Sequence, residues 1–239
     1  MMDPKRMFIR LAAAGAAVFA GNILSTLLIR STGTGIIKKL ESQNGIALTF
    51  DDGPHPVYTG QLLDLLKKHQ VKATFFVVGE KVDAHPRLVR RMKDEGHEIG
   101  IHHYEHRSNW RLSPRALRRQ IGMTDRAIRR AAGGEPVLYR PPWGRLSPFT
   151  LSVARNYDTV LWSHIFQDWK ISSCRNLADR LRKVPEDGSV ILLHDDGTNP
   201  GADDAAPAFM IRGLAEYLED AVRRGVQFIP VKGRHRHGH

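Results

Sequence analysis

Strand-like and helix-like segments alternate along nearly the whole chain after residue 45, and this alternation is the strongest constraint on the fold. Apolar runs typical of β-strands occupy residues 46–50, 73–78, 98–102, 137–140, 159–163, 190–194 and 226–231. Amphipathic segments typical of helices lie between them, at residues 61–69, 86–95, 114–132, 148–156, 177–183 and 207–224. Such alternation predicts parallel strands joined by crossover helices. In a chain of 239 residues it favours one α/β domain, a distorted (β/α) barrel of about seven parallel strands.

Two adjacent carboxylates, Asp51 and Asp52, follow the first predicted strand and precede Gly53 and Pro54. Adjacent side chains on a strand point to opposite faces, but both can face one pocket where the strand breaks into a Gly-Pro turn. One carboxylate can then bind a metal ion while its neighbour transfers a proton. An isolated pair of this kind more often makes an acidic turn, so the interpretation depends on the rest of the chain.

His102 and His106 follow the third predicted strand at a spacing seen in zinc sites. A histidine pair alone is at least as often part of a solvated loop. Together with Asp52, however, the two imidazoles would supply three protein ligands and leave a position for water. That pattern is typical of a catalytic rather than a structural zinc site.

Three further polar residues, Arg140, Asp168 and His194, lie at or just beyond the ends of later predicted strands. All five groups therefore sit at carboxyl ends of strands, where a parallel α/β barrel assembles its active site.

In order and spacing, these motifs resemble those of the polysaccharide deacetylases, the NodB-homology or carbohydrate esterase family 4 enzymes. The motifs read Thr-Phe-Asp-Asp-Gly-Pro, His-x-x-x-His, Arg-Pro-Pro-Trp-Gly, Asp-Trp and Leu-Leu-His-Asp, and the resemblance covers residues 45–231. It implies a hydrolase that removes N-acetyl groups from N-acetylglucosamine-type sugars of peptidoglycan or chitin-like oligomers. The metal it implies is zinc, with cobalt as an alternative.

The resemblance also implies roles for individual residues. Asp51 would be the catalytic base and His194 the general acid. Arg140 would orient Asp51, and Asp168 would orient His194. The metal ligands would be Asp52, His102 and His106. The substrate-binding residues would be Pro141, Trp143, Trp169 and Leu192.

The chemistry of these residue types is suited to amide hydrolysis. A divalent ion polarises a carbonyl, and a neighbouring carboxylate such as Asp51 can accept the proton of the attacking water. The backbone N–H of Trp143 is the candidate donor to the oxyanion, because the two prolines before it lack one. A histidine kept protonated by Asp168 can then protonate the leaving amine.

The chain departs from the family pattern at three positions. Ile165 replaces an aspartate usual three residues before Asp168, Arg107 replaces a proline, and His103 replaces a small hydroxyl residue. These changes leave open hydrolysis of another acyl or imide C–N bond at the same site. A protein of a different class, one that binds glycans without turnover, would be expected to have lost part of the motif set.

The N-terminal segment, residues 1–30, reads as a membrane anchor or a signal peptide. Lys5, Arg6 and Arg10 precede an apolar run at residues 11–29, which is long enough to span a bilayer. We expect an uncleaved single-pass anchor with an extracytoplasmic catalytic domain, because apolar character continues past the best cleavage point near Ala20. Secretion after cleavage is the alternative. Residues 31–44 are predicted to be a linker, and the catalytic domain is predicted to occupy residues 45–232.

The chain carries 36 Lys and Arg against 25 Asp and Glu, a formal charge of +11. Such a surface favours anionic membranes or an anionic wall polymer. Nucleic acid is disfavoured as a partner, since the basic segments lie on separate helices without an aromatic stacking set. We expect a monomer, with a basic, His-rich tail at residues 233–239. The single cysteine, Cys174, rules out an internal disulfide.

Overall fold

The computed structural model describes residues 4–41 and 45–233. The helices are α1 (Pro4–Thr32), α2 (Tyr58–Lys68), α3 (Gly79–Ala84), α4 (Pro86–Asp94), α5 (Pro114–Ala132), α6 (Thr150–Val153), α7 (Ile171–Cys174), α8 (Leu177–Leu181) and α9 (Ala206–Arg223). The strands are β1 (Ile36–Ile37), β2 (Gly45–Asp51), β3 (Thr74–Val77), β4 (Glu98–Ile101), β5 (Leu138–Tyr139), β6 (Asp158–Val160), β7 (His164–Ile165) and β8 (Asp187–His194). Short 3-10 helices occupy Asn109–Arg111 and Pro142–Gly144.

The eight described strands form one parallel sheet in the order β1-β6-β5-β4-β3-β2-β8-β7. Strand β7 follows β6 after a short connection, yet β6 pairs with β5 while β7 pairs with β8. One nearly continuous stretch of chain therefore links both ends of the sheet and curls it around. The predicted distorted (β/α) barrel of parallel strands is confirmed.

The two faces of the strands contact different parts of the core. In β2, Ile46, Leu48 and Phe50 belong to the large cluster packed under the helices, whereas Ala47 belongs to a second cluster inside the barrel. Because side chains alternate along a strand, Asp51 points to the same side as Ala47, toward the barrel interior. The polar end of β2 is thus presented to the mouth of the barrel.

The sequence pattern misassigns one strand and misses two. Residues 226–231 are predicted to be a strand but make an isolated bridge between Phe228 and Ile46 instead, so this prediction is wrong. Pro230 has no N–H, and the N–H of Val231 donates to Thr74 Oγ1 rather than to a strand carbonyl. No strand is predicted at β1 or β7, which are two residues long and lie outside the predicted apolar runs.

The segment predicted to be a linker, residues 31–44, contributes to the sheet. Strand β1 pairs with β6, and the N–H of Leu40 donates to the carbonyl of Gly188 at 2.8 Å. The described part of this segment therefore holds α1 close to the barrel. Residues 42–44 and the predicted tail after Gly233 lie outside the described residues. The domain boundaries remain predictions.

Helix α1 is long and mostly exposed. Its segment Ala12–Thr32 has 21 residues and a mean hydropathy of 1.8, so its length and composition suffice to cross a membrane. Two polar side chains near its C-terminal end, Asn22 and Thr26, are nevertheless buried against the barrel. Helix α1 is therefore an apolar helix that contacts the barrel through its C-terminal part.

Candidate active site

Asp51 forms an ion pair with a buried arginine whose guanidinium makes several other hydrogen bonds. Arg140, just after β5, is fully buried, and its Nη1 donates to Asp51 Oδ1 at 2.7 Å and to Thr49 Oγ1 at 2.8 Å. Its Nε and Nη2 donate to the carbonyl oxygens of Val160 and Leu161, at 3.2 and 3.1 Å. Such a guanidinium has little freedom to move. It anchors one carboxylate oxygen of Asp51 and leaves the other directed toward the cavity.

Asp52, His102 and His106 converge beside Asp51, and we call them the metal-ligand cluster. Oδ1 of Asp52 lies 3.3 Å from Nε2 of His102 and 3.1 Å from Nε2 of His106. The three candidate ligand atoms lie within 4.8 Å of one another. Burial alone would raise the pKa of Asp52, but the imidazoles of His106 and His102 hold that pKa well below its ordinary value. The carboxylate is therefore ionised, as a metal ligand must be.

The hydrogen bonds of the cluster fit a bound cation. Nδ1 of His102 lies 2.8 Å from the carbonyl oxygen of Arg140, which can only accept, so Nδ1 carries a proton and Nε2 of the neutral ring is free to present a lone pair to a metal ion. Oδ1 of Asp52 is buried and has no hydrogen-bond partner. A carboxylate oxygen and an imidazole lone pair that face each other repel unless a cation or a proton lies between them. The residues therefore fit a divalent metal ion.

The backbone turns sharply where the strands end, and this turn places the ligands. Asp52 and His106 adopt the left-handed region, with φ of 78° and 47°. Gly53 approaches the buried Asp195 so closely that a Cβ would collide with its carboxylate, and the N–H of Gly53 donates to Asp195 Oδ1 at 3.1 Å. The turn after β2 thus depends on glycine at this position, and it brings Asp52 to the same side as Asp51.

His194 forms a second supported acid–base group. It ends β8 in register with Asp51, and its Nδ1 lies 3.0 Å from Asp168 Oδ1. Its backbone N–H donates to Asp168 Oδ2 at 2.7 Å. Burial lowers the pKa of His194, but the carboxylate of Asp168, helped by Asp52 and Asp51, outweighs burial and raises it to about 10. With Nδ1–H directed at Asp168, the proton on Nε2 is the one that can be transferred.

One cavity of about 270 Å³ unites these groups. Arg140 and Asp168 lie behind its wall, where they contact Asp51 and His194. Pro141 is buried and does not line the cavity. The other predicted site residues all line it: Asp51, Asp52, His102, His106, Trp143, Trp169, Leu192 and His194.

Sequence reasoning missed Trp162 and the loop at residues 199–202, which also line the cavity. The ends of this loop are tied down by Asp196, which pairs with Lys81 at 2.8 Å, and by Asp203, whose carboxylate accepts the N–H of Ile171. The Asn-Pro-Gly triplet at 199–201 signals a turn after a strand end. It does not reveal that the turn folds back over the site.

The three departures from the family pattern have different surroundings. Ile165 lines the cavity and is 42% exposed. His103 is buried, stacks on Tyr139 and lies 2.9 Å from its hydroxyl through Nε2, and burial keeps its pKa well below the ordinary value. Arg107 pairs with Glu105 at 3.0 Å on the surface. Of the three, Ile165 is thus the one that changes the cavity wall.

A buried carboxylate, a histidine bonded to a second carboxylate and an Asp-His-His cluster in one cavity have the chemistry that a metal-dependent hydrolase site requires. The family model for polysaccharide deacetylases matches residues 38–162, more than half of the chain. The chain belongs to the polysaccharide deacetylase family.

Individual relatives extend this similarity. A peptidoglycan-N-acetylglucosamine deacetylase of Bacillus cereus is 35% identical over 198 residues, which are 81% of this chain and 89% of that protein. The peptidoglycan-N-acetylmuramic acid deacetylase PdaC of Bacillus subtilis is 41% identical over 154 residues, or 64% of this chain, but the match spans 33% of PdaC. The crystal structure of the Bc1960 peptidoglycan N-acetylglucosamine deacetylase aligns with a TM-score of 0.71 at 33% identity, covering 82% of this chain and 90% of that one.

Proposed function

We propose that this protein is a metal-dependent hydrolase that removes N-acetyl groups from the sugars of cell-wall peptidoglycan. One observation carries the proposal: two acid–base groups, Asp51 and His194, line the same cavity as the metal-ligand cluster. Hydrolysis of an amide needs a base for the attacking water and an acid for the leaving nitrogen, and both are supplied here.

Asp52, His102 and His106 would hold the metal ion. One carboxylate oxygen and two imidazole nitrogens make a ligand set that zinc accepts, with cobalt(II) as an alternative. A divalent cation supplies Lewis acidity, which polarises a carbonyl and makes water a stronger acid.

The side chains of the protein move the protons. Asp51 takes a proton from water as the water oxygen adds to the acetamide carbonyl carbon, while Arg140 keeps the carboxylate in place. The backbone N–H of Trp143 donates to the developing oxyanion. When the C–N bond breaks, Nε2 of His194 gives its proton to the sugar nitrogen, and the products are acetate and a free amine. Because the pKa of His194 is raised to about 10, the ring is protonated at neutral pH.

The apolar side chains of the cavity suit the acetyl methyl group. Trp169 lies edge-on to the His194 ring, with centroids 5.3 Å apart, and Leu192 lines the same cavity. A methyl group placed between them would be close to the acid that protonates its leaving nitrogen. Bulkier acyl groups would have to displace one of these side chains.

Features of the rest of the chain support a wall-polymer substrate and a membrane location. The relatives named above are peptidoglycan deacetylases, and a net charge of +11 favours an anionic polymer. Helix α1 tethers the protein to the membrane as a single-pass anchor, with the catalytic domain on the side where the wall polymer lies. The apolar composition of α1 supports this anchor. Because Asn22 and Thr26 are buried against the barrel, the part of α1 inserted in the bilayer is the part that precedes Asn22.

The proposal is tested with the full chain in mild detergent, supplied with zinc. Acetate and free amino groups are measured in parallel on peptidoglycan strands and N-acetylglucosamine oligomers, with the Asp51→Asn variant as control. We expect the wild-type protein to release acetate and to form free amino groups in equal amounts, and the variant to form neither. A folded, metal-loaded protein that releases no acetate from either glycan would refute the proposal and favour another acyl or imide substrate.

A further inference from the structure

A second groove adjoins the active site, and the C-terminal end of α1 forms part of its wall. This groove has a volume of about 550 Å³ and is lined by Arg30, Lys38 and Lys39 among others. It shares two side chains, Trp162 and Ile165, with the active-site cavity. A polymer chain lying in one could therefore continue past these residues into the other.

Specific hydrogen bonds hold α1 in the position that builds this wall. Thr26 Oγ1 accepts from Leu146 N at 2.9 Å and from Trp110 Nε1 at 3.1 Å. Asn22 Nδ2 donates to the carbonyl of Trp110 at 3.2 Å. Residues four apart share one face of a helix, so the bonds of Asn22 and Thr26 also fix the side on which Arg30 lies. The docking of α1 therefore places Arg30 in the wall of the groove.

The groove carries positive charge that the protein itself does not neutralise. The guanidinium carbon of Arg30 lies 5.0 Å from the ring centroid of Trp162, and Lys38 Nζ donates to the carbonyl of Arg30 at 2.8 Å. Lys39 pairs with Asp187 at 2.5 Å. Within residues 4–41 and 45–233, no carboxylate forms an ion pair with Arg30 or Lys38. The side chains of Arg30 and Lys38, beside Trp162, are therefore available to bind an anionic group.

We infer that this groove is a subsite for a carboxylate on the unit next to the sugar being deacetylated. The inference rests on the proposed function and narrows its substrate to anionic glycans. Arg30 and Lys38 bind the carboxylate through charge-assisted hydrogen bonds, while the exposed side chain of Ile165 offers an apolar contact to the sugar ring. A chitin-like oligomer has no carboxylate to place there. Peptidoglycan offers two kinds, one on N-acetylmuramic acid units that carry no peptide and one on the peptides themselves.

Anionic lipid headgroups are another partner for cations at the end of a membrane helix. The glycan is favoured because the Arg30 side chain lies over Trp162, in the groove that continues into the active-site cavity. A lipid-binding cation would have no need of that continuity.

The test measures kcat/KM of the full chain and of Arg30→Gln/Lys38→Gln on three glycans. These are neutral N-acetylglucosamine oligomers, peptidoglycan strands stripped of peptides, and strands that retain peptides. We expect the variant to lower the anionic-to-neutral ratio of kcat/KM about tenfold, or about 1.4 kcal/mol, with less effect at high salt. A loss on stripped strands assigns the sugar carboxylate, and a loss confined to peptide-bearing strands assigns the peptide carboxylate.

Two control variants and a lipid-binding measurement make the outcome decisive. Arg115→Gln/Arg119→Gln removes the same charge from α5, in residues that line neither cavity, and should leave the ratio unchanged. Arg30→Lys/Lys38→Arg keeps the charge and should preserve the ratio. An unchanged ratio in the Gln variant, together with weaker binding to vesicles of anionic lipid, would overturn the subsite in favour of lipid.

Glycan binding is measured in parallel by titration calorimetry, which needs no turnover. Charge-dependent binding without acetate release from any glycan would refute the proposed deacetylase and keep the subsite. Acetate release with equal binding of neutral and anionic glycans would refute the subsite and keep the proposed deacetylase.

Discussion

The Asp168→Asn variant tests how His194 is kept protonated. The pKa of His194 stands at about 10 instead of the ordinary 6.5, a difference of about 3.5 units. At about 1.36 kcal/mol per unit, this corresponds to about 5 kcal/mol in favour of the protonated ring. The substitution removes the charge while its amide oxygen can still accept the backbone N–H of His194. Burial then dominates, and we expect the pKa to fall to 6.5 or below.

The kinetic consequence has a definite sign. An acid that must be protonated becomes limiting above its pKa, so the activity of the variant relative to the wild type should fall about tenfold per pH unit above pH 6.5. The assay is kcat/KM for acetate release between pH 5.5 and 9, as far as wild-type activity allows. Asp64→Asn, which removes an exposed charge paired with Arg91, is the matched control. A variant-to-wild-type ratio that is constant over this range would refute the role of Asp168.

Three further predictions concern the base, a buried histidine and the docking of α1. Asp51→Asn should lower kcat at least about 100-fold, yet calorimetry should still find zinc bound at one equivalent per chain. Burial lowers the pKa of His97 to about 4, so below pH 6.5 the unfolded chain binds a proton that the folded chain does not, and the free energy of unfolding should fall by up to about 3 kcal/mol from pH 6.5 to pH 4. His97→Gln keeps an acceptor for Ala73 N–H and should flatten this pH dependence in thermal melts. An unchanged slope in the variant would contradict the prediction. Thr26→Val leaves the buried N–H of Leu146 and the half-buried Nε1–H of Trp110 unpaired and should cost about 1–3 kcal/mol, whereas the exposed Thr32→Val should cost little. Equal melting temperatures would argue against the docked helix.

Much of the site could be predicted because its residues follow strand ends. In a parallel barrel all carboxyl ends meet at one rim, so Asp52, His102 and His194 must come near one another once the strands are identified. The buried partners Arg140 and Asp168 follow the same logic, since Arg140 ends one predicted strand and Asp168 lies beyond the end of the next. The alternation of strands and helices was sufficient to predict the fold class, because parallel strands need crossover helices between them.

The remaining features depend on long-range contacts that leave no local pattern. The loop at residues 199–202 reaches the cavity because Lys81 binds Asp196 far away in sequence. Residues 226–231 are apolar enough for a strand, but Pro230 and the bond from Val231 to a side chain prevent a ladder. The docking of α1 depends on Asn22 and Thr26, which in the sequence read as mild interruptions of an apolar run.

Metal dependence is the central claim, and it is tested most directly by removing and restoring the ion. The full chain is stripped with a chelator, its metal content is measured by emission spectroscopy, and zinc or cobalt is titrated back while acetate release from peptidoglycan strands is followed. We predict no activity in the stripped protein and a linear recovery that ends at one equivalent per chain, with no recovery in His102→Ala. Full activity in protein shown to be free of metal would contradict the account.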